Sequence, residues 1–510
     1  MKKKKITIIV LACVACVLLG GYFALSAMNA AKSKAQETSE AVFTLDSGDT
    51  IQNISCNSNN LVKSFSLRNG TWYYDTDYTF PLAQSYLTDM TDSLSSLSAM
   101  KVIADTATTA DAAKYGFEKP TCVVSLKTAN GKTAKITFGM LNTATGNYYV
   151  KTDSSSKIYG VASRVGEKFM YSMLDMANTS VYPSTDSVNI TSLDITNGTE
   201  SFKVYHTDKP ITISYYDDVE WYMIGANSEK SIADSTACTE LASNVFGVTI
   251  NKCVAYDPTD AQLSEYGITG SKIQATLSYT ENADSETTTS TASEAKEKTA
   301  KMIVGGSFTE KASTADDATA TASADTDAAA TSYTYIYAPD YKLVFTVNTD
   351  DLKSLTEAKA SALASSKVCE LTFSDIDSYD MTLDGVTHSI VIHRDQTTTT
   401  DGDTKTEVWY TVDGRDYKDN SDMAGKIWNL HFSFAYITAD HLSDTDVAET
   451  GTPYIKFVCK KNTGDKSTVE IDYYPYDSSF YLAKVNGSGR FLVNKKYLET
   501  VKENFDAFGK

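Results

Sequence analysis

Five histidines, 65 acidic side chains and eight cysteines are the groups in this 510-residue chain that could carry acid–base, nucleophilic or metal chemistry. Four of the histidines, His388, His393, His431 and His441, fall in the last third. His388 and His393 stand five apart on one expected strand, so they face opposite sides and do not share an ion. No His-Glu-x-x-His run, Gly-x-Ser-x-Gly elbow or Gly-x-x-x-x-Gly-Lys-Ser/Thr loop occurs, and no Ser-x-x-Lys is accompanied by its partner motifs. The acidic runs DIDSYD (375–380) and DGDTKTE (401–407) offer oxygen ligands but lack the spacing of a calcium loop with its distant Glu, and read as solvated turns. Paired carboxylates for glycoside hydrolysis have a separation that sequence does not display. The expectation is therefore a protein that is not an enzyme, with no cofactor and no metal.

The formal net charge of −19 repels phosphate backbones and argues against a nucleic-acid partner. Six cysteines lie beyond residue 28: Cys56, Cys122, Cys238, Cys253, Cys369 and Cys459. One pair in each third allows disulfides, but the positions are not equivalent, and a lone Cys in a strand serves as a small buried hydrophobe.

The elements that must position these groups repeat. KYGFEKPTCVVSL (114–126) and EYGITGSKIQATL (265–277) each give a Tyr-Gly pair, a polar turn and an apolar-alternating strand. Trp72 lies 43 residues before Tyr115, and Trp221 lies 45 before Tyr266. Between them, each segment reads as a Trp-Tyr strand, a loop, an amphipathic helix and a strand, a long-period self-similarity. Leu87, Met90, Leu94 and Leu97 mark the buried stripe of the first helix. A fainter third copy, Glu407 to Asp440, keeps Trp409 and the helix but loses the Tyr-Gly pair, with TGTPYIKFVCKK supplying a comparable turn and strand. Gly116 and Gly267 are expected at positive φ, ending a helical turn, and Pro120 stops any return to helix. Asn486-Gly487 signals a hairpin. Trp72, Trp221 and Trp409 are expected to anchor each sheet to its helix.

MKKKK followed by 23 uncharged residues, 6–28, is long enough to span a bilayer, with the lysines held in the cytoplasm. A cleaved signal peptide is the rival reading. The fold class expected is α+β: three tandem units, each an antiparallel sheet packed with one main helix, after an N-terminal transmembrane helix. Their limits are a basic tail at 1–5, an anchor at 6–28, a stalk at 29–42, and units at 43–183, 184–365 and 366–510. Thr/Ala/Ser/Asp tracts near 281–300 and 309–332 are expected to be disordered insertions.

With the Trp strand, the Tyr-Gly-x-x-x-Pro joint and the closing hairpin in place, the chain resembles a bacterial family of membrane-anchored proteins whose shared region is a domain of unknown function. The matching positions are Trp72, Tyr115-Gly116-Phe117 with Pro120, Phe138-Gly139, and Tyr148-Tyr149-Val150 with Ile158-Tyr159. In the second unit Ser271 stands near the place of Pro120. Members are commonly encoded beside ABC-transport and gliding-motility-type auxiliary proteins. The resemblance implies an extracytoplasmic accessory protein of an ABC-type transport system, held by its N-terminal helix and in contact with a permease; it supplies no catalytic residue. The alternative is a cell-envelope module binding glycan or peptide through surface aromatics. Rings grouped on one exposed face favour the second, and buried rings the first.

Overall fold

The computed structural model describes residues 40–213, 216–224, 230–281, 296–310, 330–398, 404–443, 447–462 and 468–509. The expected anchor, and the stalk up to residue 39, lie outside these. No helix among the described residues is long and apolar enough to cross a membrane. The described chain is mainly antiparallel sheet with few helices, an α+β architecture. Contacts divide it into two compact units, Met1–Thr179 and Ser180–Lys510.

The first unit opens with β1 (Ala41–Thr44), β2 (Ile51–Ser58), β3 (Leu61–Arg68) and β4 (Thr71–Tyr74), followed by helix α1 (Gln84–Ser95). It continues through β5 (Ser96–Ser98), β6 (Lys101–Ala104), short helix α2 (Thr109–Lys114), β7 (Cys122–Thr128), β8 (Thr133–Asn142), β9 (Asn147–Thr152) and β10 (Ile158–Ala162). The strands lie in the order β4-β3-β2-β7-β8-β9-β10-β6, with β1 and β5 as a separate pair. Two sequence expectations are corrected here. Ala41 and Val42, which read as stalk, belong to β1, where Val42 and Phe43 are buried. Leu97 leaves the helix for β5 but stays buried, while Leu87, Met90 and Leu94 form the buried face of α1.

The second unit contains two sheets. One is built from β11 (Val188–Asn197), β12 (Ser201–Ile213), β13 (Tyr216–Ile224), β14 (Lys230–Ile232), helix α3 (Ser235–Phe246), β15 (Ile250–Tyr256), short helix α4 (Asp260–Glu265), β16 (Ile273–Glu281), β17 (Lys298–Glu310), β18 (Thr331–Ala338) and β19 (Leu343–Asn348). The other comprises β20 (Ile376–Leu383), β21 (Val386–Thr398), β22 (Thr404–Val412), β23 (Arg415–Asp416), helix α5 (Ser421–Phe434), β24 (His441–Leu442), β25 (Ile455–Lys461), β26 (Thr468–Pro475), β27 (Phe480–Val485) and β28 (Ser488–Asn494), closed by helix α6 (Lys495–Asp506). Their orders are β14-β13-β12-β11-β16-β17-β18-β19-β15 and β23-β22-β21-β20-β25-β26-β27-β28-β24. All three large sheets therefore follow one plan: a meander, a helix, an edge strand that crosses to the far side, and a second meander paired back onto the first strand. The outermost strands other than β15 have four residues or fewer, which limits the unpaired backbone left at those sheet edges.

The insertion limits also move. Lys298, Thr299 and Ala300 belong to β17 rather than to a disordered tract, because Leu277 faces Ala300 across the ladder and Ala300 is buried. The Lys298–Glu281 ion pair closes that end of the ladder. Backbone pairing overrides the low strand signal of those residues. Asn486 and Gly487 both take positive φ, as their two-residue hairpin turn requires.

Candidate functional site

The Tyr-Gly phrases build the same joint twice. Helix α2 starts where the Asp111 carboxylate accepts the Thr108 N–H at 2.8 Å; helix α4 starts where Gln262 Oε1 accepts the Thr259 N–H at 2.9 Å. Hydrogen bonds to Thr108 hold the Asp111 carboxyl below its ordinary range. Each helix ends at a glycine with φ of +78° (Gly116) or +69° (Gly267). The next residue's N–H reaches back five positions, Phe117 to the Ala112 carbonyl and Ile268 to the Leu263 carbonyl, both at 2.8 Å. This 6→1 bond with a left-handed glycine is the Schellman ending.

The joint then docks on a kink in the sheet. The Tyr115 carbonyl accepts the Met140 N–H at 2.9 Å, and the Tyr266 carbonyl accepts the Gly306 N–H at 2.8 Å. Both acceptors meet a register shift, between Phe138 and Leu141 on β8–β9 and between Val304 and Ser307 on β17–β18. The Tyr115 ring packs on Tyr149 with centroids 4.6 Å apart, and Tyr266 on Tyr335 at 4.7 Å. Tyr115, Gly116, Gly139 and Tyr149 thus come together, as do Tyr266, Gly267, Gly305 and Tyr335. Pro120 follows the first joint on the way into β7. The third sheet has no register shift between β26 and β27. There Gly451 takes positive φ, and Tyr454 stacks on Tyr481 at 5.0 Å.

The tryptophans lie elsewhere. Trp72 is buried on the face of β4 that pairs with Phe65 and Leu67, and Gln84 at the start of α1 clamps its backbone with bonds of 2.7 and 3.0 Å. Trp221 is buried on the same side as Val204. Trp409 departs from the expected anchoring role. Tyr410, opposite buried Ile392, takes the inward place, and Trp409 turns outward to stack on His393 at 3.8 Å. A one-residue offset in a strand exchanges its faces.

Three of the five histidines, His388, His393 and His431, serve in separate settings. His388 bonds Asp413 at 2.7 Å and packs on Phe505 and Phe508. Burial raises the Asp413 carboxyl's pKa, but bonds from the Ser389 N–H and His388 outweigh it and keep the group below its ordinary range. His393 Nε2 lies 2.8 Å from Thr411 Oγ1. His431 is fully enclosed, with neither ring nitrogen hydrogen-bonded, and burial lowers its pKa from 6.5 to about 4. Among the described residues, no three His, Cys, Asp or Glu side chains cluster to hold a metal ion, and no disulfide joins the cysteines. A cleft of about 310 Å³ lies between α3 and residues 350–354, lined by Ser243, Asn244, Thr249, Asp350, Asp351 and Ser354.

One surface was not singled out by the motifs. Helix α5, capped where Asn420 Oδ1 accepts the Met423 N–H at 2.9 Å, buries Met423, Ile427, Leu430, His431 and Phe434. Its opposite face exposes Trp428 (40%), Phe432 (52%) and, just past its end, Tyr436 (50%). Trp428 to Phe432 is 5.3 Å and 23° between planes; Phe432 to Tyr436 is 5.9 Å and 13°. The three rings thus run near-parallel along the exposed side of the helix. Phe373, 4.4 Å away, fixes the Trp428 ring from beneath. The signal was present in sequence as aromatics at i, i+4 and i+8 of a predicted helix.

Residues 72–269 match the model of the family described as "Domain of unknown function (DUF4340)". The match begins on Trp72 and ends two residues past Gly267, so it runs from the Trp strand of the first sheet through the joint of the second. No curated protein and no solved structure matches the chain significantly.

Proposed function

We propose that the protein is a membrane-tethered, extracytoplasmic, non-enzymatic accessory protein of an ABC-type transport system, built from three tandem copies of one α+β unit. The observation that carries the scaffolding part is the twice-built joint. In both copies the motif tyrosines and glycines are taken up in packing and hydrogen bonds, so the motif sets the shape of each sheet. The shared strand order supports the tandem reading. The transport part rests on the family resemblance, and the tether rests on residues 6–28. Purification of the full chain from its native membrane after mild cross-linking tests this reading. Recovery of an ABC permease, lost when residues 1–28 are replaced by an unrelated anchor, is the expected result. Its absence from the cross-linked material overturns the transport assignment.

The second reading, an envelope-binding module, is favoured by the exposed row Trp428, Phe432 and Tyr436. Its three exposed rings would offer apolar contact to a glycan or a peptide. Tight binding of wall glycan fragments, lost in Phe432→Ala, would support this reading over the first.

A further inference from the structure

The outward stripe of α5 and its extension consists of Ser421, Gly425, Trp428, Asn429, Phe432 and Tyr436, all exposed and none charged. In a chain of net charge −19 this is a face on which another copy meets no like charge. The charges at its margin, Asp422 and Lys426, pair with each other at 3.2 Å.

Gly425 is the second observation. It sits inside the helix, where glycine is less favourable than any other residue but proline. A Cβ built on it meets nothing within 4 Å. The chain's own packing therefore gives no reason for a glycine at this position. A notch beside an aromatic row lets another surface approach closely.

The stripe is complementary to itself in size. At 1.5 Å of rise per residue, two copies of this helix set antiparallel about a twofold axis between residues 428 and 429 bring Gly425 level with the second copy's Phe432. Ser421 comes level with the second copy's Tyr436. Small residues thus meet large ones, while Trp428 and Asn429 approach their own counterparts beside the axis. An isologous contact needs this self-matching of one patch.

We infer that the outward face of α5 is a homodimer interface, with the Phe432 ring of each copy seated over Gly425 of the other. The inference does not depend on the transport reading. Association is opposed by the net charge of two like chains and therefore strengthens with salt.

The test uses the full chain with Cys13 and Cys16 changed to serine and Asn429→Cys introduced. Mild oxidation should give a reducible species of twice the chain mass, at least tenfold more than from Lys405→Cys, which is exposed on β22. Adding Gly425→Leu should abolish the species without lowering the thermal midpoint, because a Cβ there meets no atom within 4 Å and leucine favours a helix more than glycine does. The size-swapped pair Gly425→Phe with Phe432→Ala should restore it. No cross-link above the Lys405→Cys control, or a cross-link undiminished by Gly425→Leu, overturns the interface. So does a photo-cross-linker at 429 that captures lipid or a different chain.

Discussion

The carbonyl oxygen of Tyr115 lies 2.9 Å from the amide nitrogen of Met140, in the kink of β8. A Cβ on neighbouring Gly139 would stand 2.1 Å from that same oxygen, and one on Gly305 would stand 2.3 Å from the Tyr266 oxygen. The glycine is what allows helix ending and sheet to share a hydrogen bond.

Gly139→Ala and Gly305→Ala should therefore each cost roughly 2–3 kcal/mol in the sheet that contains them. Hydrogen exchange followed by mass spectrometry should show faster exchange around Met140 in the first variant and around Gly306 in the second. Unchanged protection at both amides would mean the joint is not held by this bond.

His431 sets an acid limit on the unit that holds it. Burial lowers its pKa from 6.5 to about 4, so the unfolded chain takes up the proton first as pH falls through that window. The stability present above pH 6.5 is then lost progressively towards pH 4, by about 3 kcal/mol from this group. In His431→Leu the loss between those pH values should shrink by about that amount in urea titrations. A variant whose acid sensitivity equals that of the parent would assign the effect to other groups.

The three tryptophans of the Trp-Tyr strands should separate by face. Trp72→Ala and Trp221→Ala remove buried rings and should cost about 3–5 kcal/mol each. Trp409→Ala removes an outward ring stacked on His393 and should cost only about 1 kcal/mol. Urea unfolding of the single variants gives the ranking, and an equal cost at Trp409 would place its ring in the core after all.

Burial pushes the Cys56 and Cys238 thiols up to about 12 and Cys122 up to about 11, and raises Cys369 as well. These thiols are protonated and enclosed at pH 8, where thiolate is the reactive form. A thiol reagent at that pH should leave them unlabelled in the native protein and label them in urea. Native labelling at any of the four on the timescale of the urea control would contradict the burial.

Much of the joint was legible because its chemistry is local. A tyrosine and glycine after a short polar helix specify the positive φ at Gly116 and Gly267 within a few residues. Their partners were harder to read. Gly305 and Gly306 reach Tyr266 only through the fold, and no local pattern marks Gly-Gly as the kink that receives a carbonyl. Lys298 to Ala300 resemble the tract before them in composition, and only pairing with β16 makes them strand. Trp409 shares the Trp-Tyr dipeptide with Trp72 and Trp221, yet the face it takes depends on strand register. The aromatic row on α5 carried a readable period, but a helical aromatic period also describes a core, and exposure decided between the two.

Each sheet is closed at a seam whose nearest register partners are Ser58 and Cys122, Asn197 and Ile273, or Leu383 and Ile455. A chain made from its N-terminus must keep the first strand of each seam open while the helix and edge strand emerge. During that interval β2, β11 and β20 await β7, β16 and β25, three candidates of one topology. Joining to the wrong candidate is a characteristic error of chains with several sheets of like topology. CVVSLKT, IQATLSYTE and IKFVCKK share a pattern of alternation but few residues. Divergence at these strands then serves fidelity of assembly, and making the three seams identical would raise the share of chains trapped with strands exchanged between sheets.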